Sequence, residues 1–279
     1  MTPCLDVPLC LHERTNNDNF KFEEKNVTKC LKSVKNGIAG GSDNTAWWVY
    51  KCCADELSGI FTTIFNECTA QCEIPAIWKN AITAPVPKVS TPRSVNDFRP
   101  IDLASISFNC MQKLIVPQIT KAIDKYGDSN QFAYRKGLSC TDAVLTLIPN
   151  IVTGLNNKDT TISKVLFLDF SSAFNTVLPN RLIQDMQGFV EEPWLLHWIS
   201  NFVNGWSRQI KYSKGLTEKS EINVGVPQGG PLSSLLFTIY TDEIRSISKC
   251  TVVKYADDTA VSAWYYFLLI KDKKIMITF

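Results

Sequence analysis

Three short runs of strand-forming residues in this chain each end or begin within two residues of an aspartate, and that shared address constrains the fold more than any other feature. The first run, residues 165–168 of KVLFLDFSSAF, is unbroken and apolar and closes on Asp169. Its length and polar bounds read as a buried strand. The other two, 251–255 and 259–263, flank Ala256-Asp257-Asp258 and read as a β-hairpin, with aspartate suited to the turn because it tolerates positive φ. An isolated Asp-Asp pair is more readily explained by a solvated turn. If the three strands neighbour one another in an antiparallel sheet, however, Asp169, Asp257 and Asp258 meet at its edge. Three clustered carboxylates repel one another unless cations neutralise them, so the cluster is most economically a divalent-metal site. Two Mg²⁺ ions about 3.5–4 Å apart can activate an attacking oxygen and stabilise a leaving one.

The remaining patterns supply a scaffold. A short helix is expected around residues 27–34, ended by Gly37 and the Gly40-Gly41 pair, and a longer one over 45–71 from Trp48, Val49, Leu57, Ile60, Phe61, Ile64 and Phe65. Prolines across 81–105 forbid a helix or a central strand but suit two edge strands joined by a polar loop. Helical periodicity returns over 107–126 and 141–155. Pro179 can open a helix carrying Leu182, Ile183 and Met186, and Pro231 can open one striped by Leu232, Leu235, Leu236, Ile239 and Tyr240.

Composition removes several alternatives. With 279 residues, 45% hydrophobic and 20% charged, the chain can bury a core of one large or two modest domains. A net charge of only +2 argues against a protein that coats nucleic acid by electrostatics alone, although a cleft can still concentrate charge. No secretory signal is evident, and the most apolar stretch, 261–270, is too short to span a bilayer. An intracellular protein, nuclear or cytoplasmic and not secreted, is the expectation. Ten cysteines and two histidines include no CxxC pair, so reduced thiols are favoured over a zinc site.

A nucleotidyl-transfer site needs more than carboxylates. Gly229 and Gly230 allow backbone close to a ligand, and Gln228 offers amide donors and an acceptor. Lys88 can meet a triphosphate as a point charge and Arg99 as a fork. Each also has an ordinary reading, a helix-entry turn for the glycines and an exposed surface cation for the others.

Six stretches in order, APVPK, NDFRPI, QFAYRKG with TDAV, FLDFSSAF, GVPQGGPLSSLLF and YADDT, resemble the reverse transcriptase domain of LINE-type, non-LTR retrotransposons, most closely the chicken-repeat-like branch. The likeness runs from about Ala39, where AGGSDN resembles the family's Ala-Gly-Pro-Asp-Gly, to about Ala263. It implies an α+β right-hand polymerase in which an antiparallel palm sheet is flanked by helices. Residues 39–155 would be mainly fingers and 156–263 palm, with a fingers insertion near 181–220 and a poorly ordered segment over 1–38. It implies that Asp169, Asp257 and Asp258 are the catalytic, metal-binding carboxylates for two Mg²⁺ ions, with Mn²⁺ as a substitute. Lys88 and Arg99 would grip the triphosphate, and Gln228 and Gly229 would line the nascent base pair. Phe174, otherwise an ordinary core phenylalanine, would stack under the incoming sugar and exclude the ribose 2′-hydroxyl. The implied reaction is RNA-directed DNA synthesis, with an RNA template, a DNA primer and deoxynucleoside triphosphates as partners and no membrane. Another right-hand polymerase or an intron maturase is disfavoured by the fingers stretches.

Some positions depart from the family pattern. Gly230 stands where Ser or Cys is usual, Pro231 where an aliphatic residue is, Ser234 where Pro is, Leu138 where Arg is, and Asn109 and Gln112 where Lys and Glu are. After Ala263 the stretch WYYFLLIKDKKIMITF shows neither a primer-gripping hairpin nor a thumb. A divergent tail over 264–279 and a missing thumb are therefore expected, and with them weak primer extension. The alternative reading is a catalytically inactive, truncated remnant of such an element.

Overall fold

The computed structural model describes residues 20–156, 160–170, 172–213, 215–246, 250–270 and 273–277. The chain divides into two compact units, one comprising residues up to Ala122 with Phe174–Leu236, the other Ile123–Ala173 with the residues from Phe237 onward.

The first unit opens with α1 (Glu24–Lys32), whose acidic first turn and basic last turn complement the helix dipole. Val27 and Leu31 bury its apolar face completely. The helix expected over 45–71 is two, α2 (Trp47–Cys52) and α3 (Ala54–Ala70), because Cys53 leaves helical geometry at φ −101° and ψ 27°. Asp55 and Glu56 then occupy the first turn of α3, where negative charge is favoured. The core is a relay of aromatic rings. Phe65 meets Trp78 at 5.9 Å, Trp78 stacks on Phe108 at 5.4 Å, and Phe108 reaches Phe202 at 6.0 Å between centroids. Each such pair contributes about 0.5–1.5 kcal/mol beyond its buried area.

The sheet of this unit is mixed. Strands β1 (Asn80–Pro87) and β2 (Phe98–Leu103) are antiparallel, while β1 runs parallel to β4 (Trp206–Tyr212), giving the order β2-β1-β4-β5, with β5 at Gly215–Leu216 and β6 (Ser220–Ile222) also on β4. The proline-rich β1 is thus an interior strand, not the edge strand expected. Its parallel pairing uses only Asn80 to Thr83 and ends before Pro85 and Pro87, so the missing N–H groups cost that ladder nothing. Between β2 and β4 lie α4 (Ile106–Tyr126), α6 (Pro179–Met186) and α7 (Pro193–Val203), and α8 (Pro231–Tyr240) follows β6. Prolines open α6 and α8 as their positions require, and Leu182, Ile183, Met186, Leu232, Leu235, Leu236 and Ile239 are all buried.

In the second unit, α5 (Cys140–Asn156) packs on β3 (Thr160–Leu168), β7 (Thr251–Tyr255) and β8 (Asp258–Ile270). The antiparallel order is β3-β8-β7, with β9 (Lys273–Ile277) also paired to β8. Phe132, Ala143, Leu147, Val253 and Ala260 form the core, joined by Ile151 and Val165. The run 165–168 is not the buried strand expected: Leu166 is 58% and Phe167 76% exposed. As an edge strand β3 has a single neighbour, and only Val165 meets the core. Beyond Ala263 the backbone continues the sheet to Ile270 and returns through β9, whereas the side chains there lie outside the described residues. Residues 1–19, within the expected irregular N-terminus, also lie outside them, and α1 occupies part of the remainder. No described cysteine is in a disulfide.

Candidate active site

The strand register brings the aspartates of the second unit to one end of its sheet. Leu168 opposes Thr259, so the next position of the chain, Asp169, falls beside Asp258, and Tyr255 opposes Asp258 from the other side. The hairpin therefore turns through Ala256 and Asp257 alone. Positive φ belongs to Ala256, at 59°, and to neither aspartate. A left-handed first residue followed by an ordinary second one is the type II′ pattern, whose twist suits a two-residue hairpin.

Asp169 and Asp258 are exposed and Asp257 is half-buried. The side chains of the three make no hydrogen bond or ion pair with the described residues. The donor set is all oxygen, carries three formal charges and has no internal cation to balance it, which suits a hard divalent ion. Among the described residues, no group of three or more His, Cys, Asp or Glu is drawn close enough to form a finished metal cage. The chemistry and the strand-end address fit the ion; the cage is not preformed.

The other five candidates belong to the first unit. Val86 opposes Arg99 in the β1–β2 hairpin, and the Lys88 amide donates to the Asp97 carbonyl at 2.7 Å. Both cations are exposed. The connection between them is tied by a capping box of Ser94 and Asp97. The Asp97 carboxylate accepts from the backbone N–H groups of Arg93 at 2.7 Å and Ser94 at 2.8 Å. Those bonds, that of Arg93 foremost, hold its carboxyl below the usual range.

Gln228 and Gly229 are fastened to β2 through Asp102. The Gln228 amide donates to Asp102 Oδ2 at 2.9 Å, and the Asp102 amide donates to the Gln228 carbonyl at 2.6 Å. Arg208 donates to the same Oδ2 at 2.9 Å, and Thr83 Oγ1 to Oδ1 at 2.6 Å. Gly229 has φ 137°, and a Cβ there would lie 2.7 Å from the Asp102 carbonyl oxygen, so only glycine fits. Phe174 is half-buried in a 3-10 turn, Ala173–Asn175. Its carbonyl accepts from Val226 at 2.9 Å, and Gly225 donates to Val177 at 2.7 Å. The GVPQGG stretch is thus fixed at one end to the Phe174 turn and at the other to β2.

Asp102 has a positioning part that sequence reasoning missed. The sequence offered only a carboxylate between Ile101 and Leu103 in an expected strand; its side chain is 1% exposed, and a carboxylate so buried must be paired.

Comparison with known proteins identifies the family. The sequence profile of the family described as reverse transcriptase (RNA-dependent DNA polymerase) matches residues 86–264, more than half of the chain, and the chain belongs to that family. Its relatives include proteins of transposable elements. It is 23% identical over 249 residues to "Probable RNA-directed DNA polymerase from transposon X-element" of Drosophila melanogaster, covering 86% of this chain and 27% of that protein. It is 25% identical to "RNA-directed DNA polymerase from mobile element jockey" of the same organism, over 83% of this chain and 27% of the relative. A third, the "Retrovirus-related Pol polyprotein from type-2 retrotransposable element R2DM", is 23% identical over 67% of this chain and 17% of its own length. The chain spans about a quarter of the length of the first two of these relatives, 27% in each case. No helix among the described residues is long and apolar enough to cross a membrane.

Proposed function

We propose that this chain carries the fingers and palm of an RNA-directed DNA polymerase, which joins a deoxynucleotide to a primer 3′-hydroxyl opposite an RNA template. The observation that carries the reading is the register that sets Asp169 beside the Asp257-Asp258 turn, three unpartnered carboxylates at one strand end. Residues 39–155 would be mainly fingers and 156–263 palm, with an insertion near 181–220. Two Mg²⁺ ions held by these carboxylates, or Mn²⁺ in their place, would supply activation of the primer hydroxyl and a hold on the departing pyrophosphate.

The chain's own residues do the positioning. Asp169, Asp257 and Asp258 would hold the ions. Lys88 and Arg99, exposed on one hairpin, would neutralise the triphosphate, Arg99 in a fork. Gln228 and Gly229, held by Asp102, present backbone and amide to the new base pair. Phe174, held through its carbonyl, would stack on the sugar and admit deoxyribose in preference to ribose. Catalysis of this kind is orientation and charge neutralisation more than covalent chemistry.

The test is single-nucleotide addition to a DNA primer annealed to RNA, with the protein in excess over primer. Slow addition of the complementary deoxynucleotide, dependent on Mg²⁺ or Mn²⁺ and absent in Asp257→Asn, is expected. Addition that proceeds equally well in Asp257→Asn would defeat the reading.

A further inference from the structure

The turn that carries Asp257 is held from outside its sheet by residues 128–132. Gln131 forms an isolated parallel bridge with Lys254. The Lys254 amide donates to the Asn130 carbonyl at 2.8 Å, and the Phe132 amide donates to the Lys254 carbonyl at 2.9 Å. On that side of β7 the next backbone donor is the amide of Ala256, and there a side chain replaces the strand. The carboxamide oxygen of Gln131 accepts from Ala256 N at 3.1 Å and from Ala133 N at 3.1 Å. It stands in for the carbonyl that a longer strand would have offered.

The support is itself anchored. Lys254, 1% exposed, places its ammonium 3.0 Å from Asp128 Oδ2, an ion pair by distance though not an aligned hydrogen bond, and donates to the Thr241 carbonyl at 3.0 Å. The Asp128 amide donates to Asp242 Oδ1 at 2.7 Å, and the Asn130 amide to Asp128 Oδ1 at 3.0 Å. Gln131 is 3% exposed, and its amide nitrogen has no partner among the described residues. A buried donor left unsatisfied is costly, so this side chain is retained for its oxygen rather than for its bulk. What that oxygen holds is an alanine in the left-handed region, a conformation that alanine does not adopt readily.

We propose that Gln131 is a positioning residue for the metal-binding aspartates: by fixing the Ala256 amide it sets the turn, and with it the aim of Asp257 and Asp258. The proposal rests on the polymerase reading for what the aspartates do, but not for the hold itself. Gln131→Met keeps the volume and removes the acceptor, whereas Gln131→Glu keeps an acceptor oxygen.

The experiment measures amide exchange at Ala256 by NMR in the full chain labelled with ¹⁵N-alanine, alongside kcat and KM for single-nucleotide addition. In Gln131→Met the Ala256 amide should exchange about tenfold faster, the worth of one hydrogen bond. Its kcat should fall about tenfold or more, as for other residues that orient metal ligands, with KM for the nucleotide little changed. Gln131→Glu should keep the Ala256 protection. Unchanged protection in a folded Gln131→Met protein overturns the proposal, as does faster exchange with the parent's kcat. If Gln131→Met does not fold, Gln131→Glu decides: protection kept supports the hold, and protection lost overturns it. A parent chain with no nucleotide addition at all would instead count against the polymerase reading, and exchange would still decide whether Gln131 fixes the turn.

Discussion

Asp102 ties together more of the candidate nucleotide site than any residue chosen for chemistry. Its carboxylate gathers Thr83, Arg208 and Gln228, and its backbone closes a second bond with Gln228. Asp102→Ala would leave a guanidinium 20% exposed and without its counter-charge, together with unpaired donors on Thr83 and Gln228. The expected cost is about 3–5 kcal/mol, read as a loss of unfolding free energy in urea. The stretches NDFRPI, just before Asp102, and QFAYRKG were readable as motifs, but the parts played by Asp102 and Gln131 depend on partners 126 and 125 residues away. At the turn, aspartate was the natural choice for positive φ, yet Ala256 has it, and its amide donates to Gln131 Oε1. The departures at Asn109, Gln112 and Gly230 also prove to be neighbours: a Cβ on Gly230 would lie 2.6 Å from Gln112 Oε1, and Gln112 donates to Asn109. Changes that look independent in the sequence share one small space.

At the level of elements, local signals were legible wherever the chain itself enforces them. Pro179 and Pro231 open helices, and the 251–263 run forms a hairpin. Less legible was the exposure of a strand, since periodicity reports strand character and not how many neighbours the strand finds. The apolar β3 lies at an edge, and the proline-bearing β1 lies inside. The β1–β2 connection yields a prediction in pH. Asp97 has its carboxyl held below its ordinary 3.8 by the amides of Arg93 and Ser94. A depressed carboxyl stabilises the fold above the unfolded pKa and ceases to do so as pH falls through the lower folded value. Protection factors of the Arg93 and Ser94 amides should therefore hold at about pH 5 and collapse by about pH 2. Protection that survives acid would show that the carboxylate does not hold the loop between Lys88 and Arg99.

Across the whole molecule, the two units divide the proposed labour: the aspartates lie in one, and Lys88, Arg99, Phe174, Gln228 and Gly229 in the other. The second unit also carries apolar surface that its own core does not use. On α5, Val144, Leu145, Ile148, Val152 and Leu155 are 44–62% exposed, and Leu166 and Phe167 on β3 are more than half exposed. Exposed apolar residues clustered on one helix bind hydrophobic probes. The folded protein should therefore enhance the fluorescence of anilinonaphthalene sulfonate, and Leu145→Ser with Leu155→Ser should lower that signal without lowering helix content by circular dichroism. An unchanged signal would place the probe elsewhere. The central claim is that Asp169, Asp257 and Asp258 act together as one divalent-cation site. Electron paramagnetic resonance of free Mn²⁺, titrated with the full chain and with the Asp169→Asn, Asp257→Asn, Asp258→Asn triple variant, tests it most directly. The parent should take up Mn²⁺ saturably and the triple variant should not; equal uptake by the two proteins would show that the three carboxylates do not form one cation site.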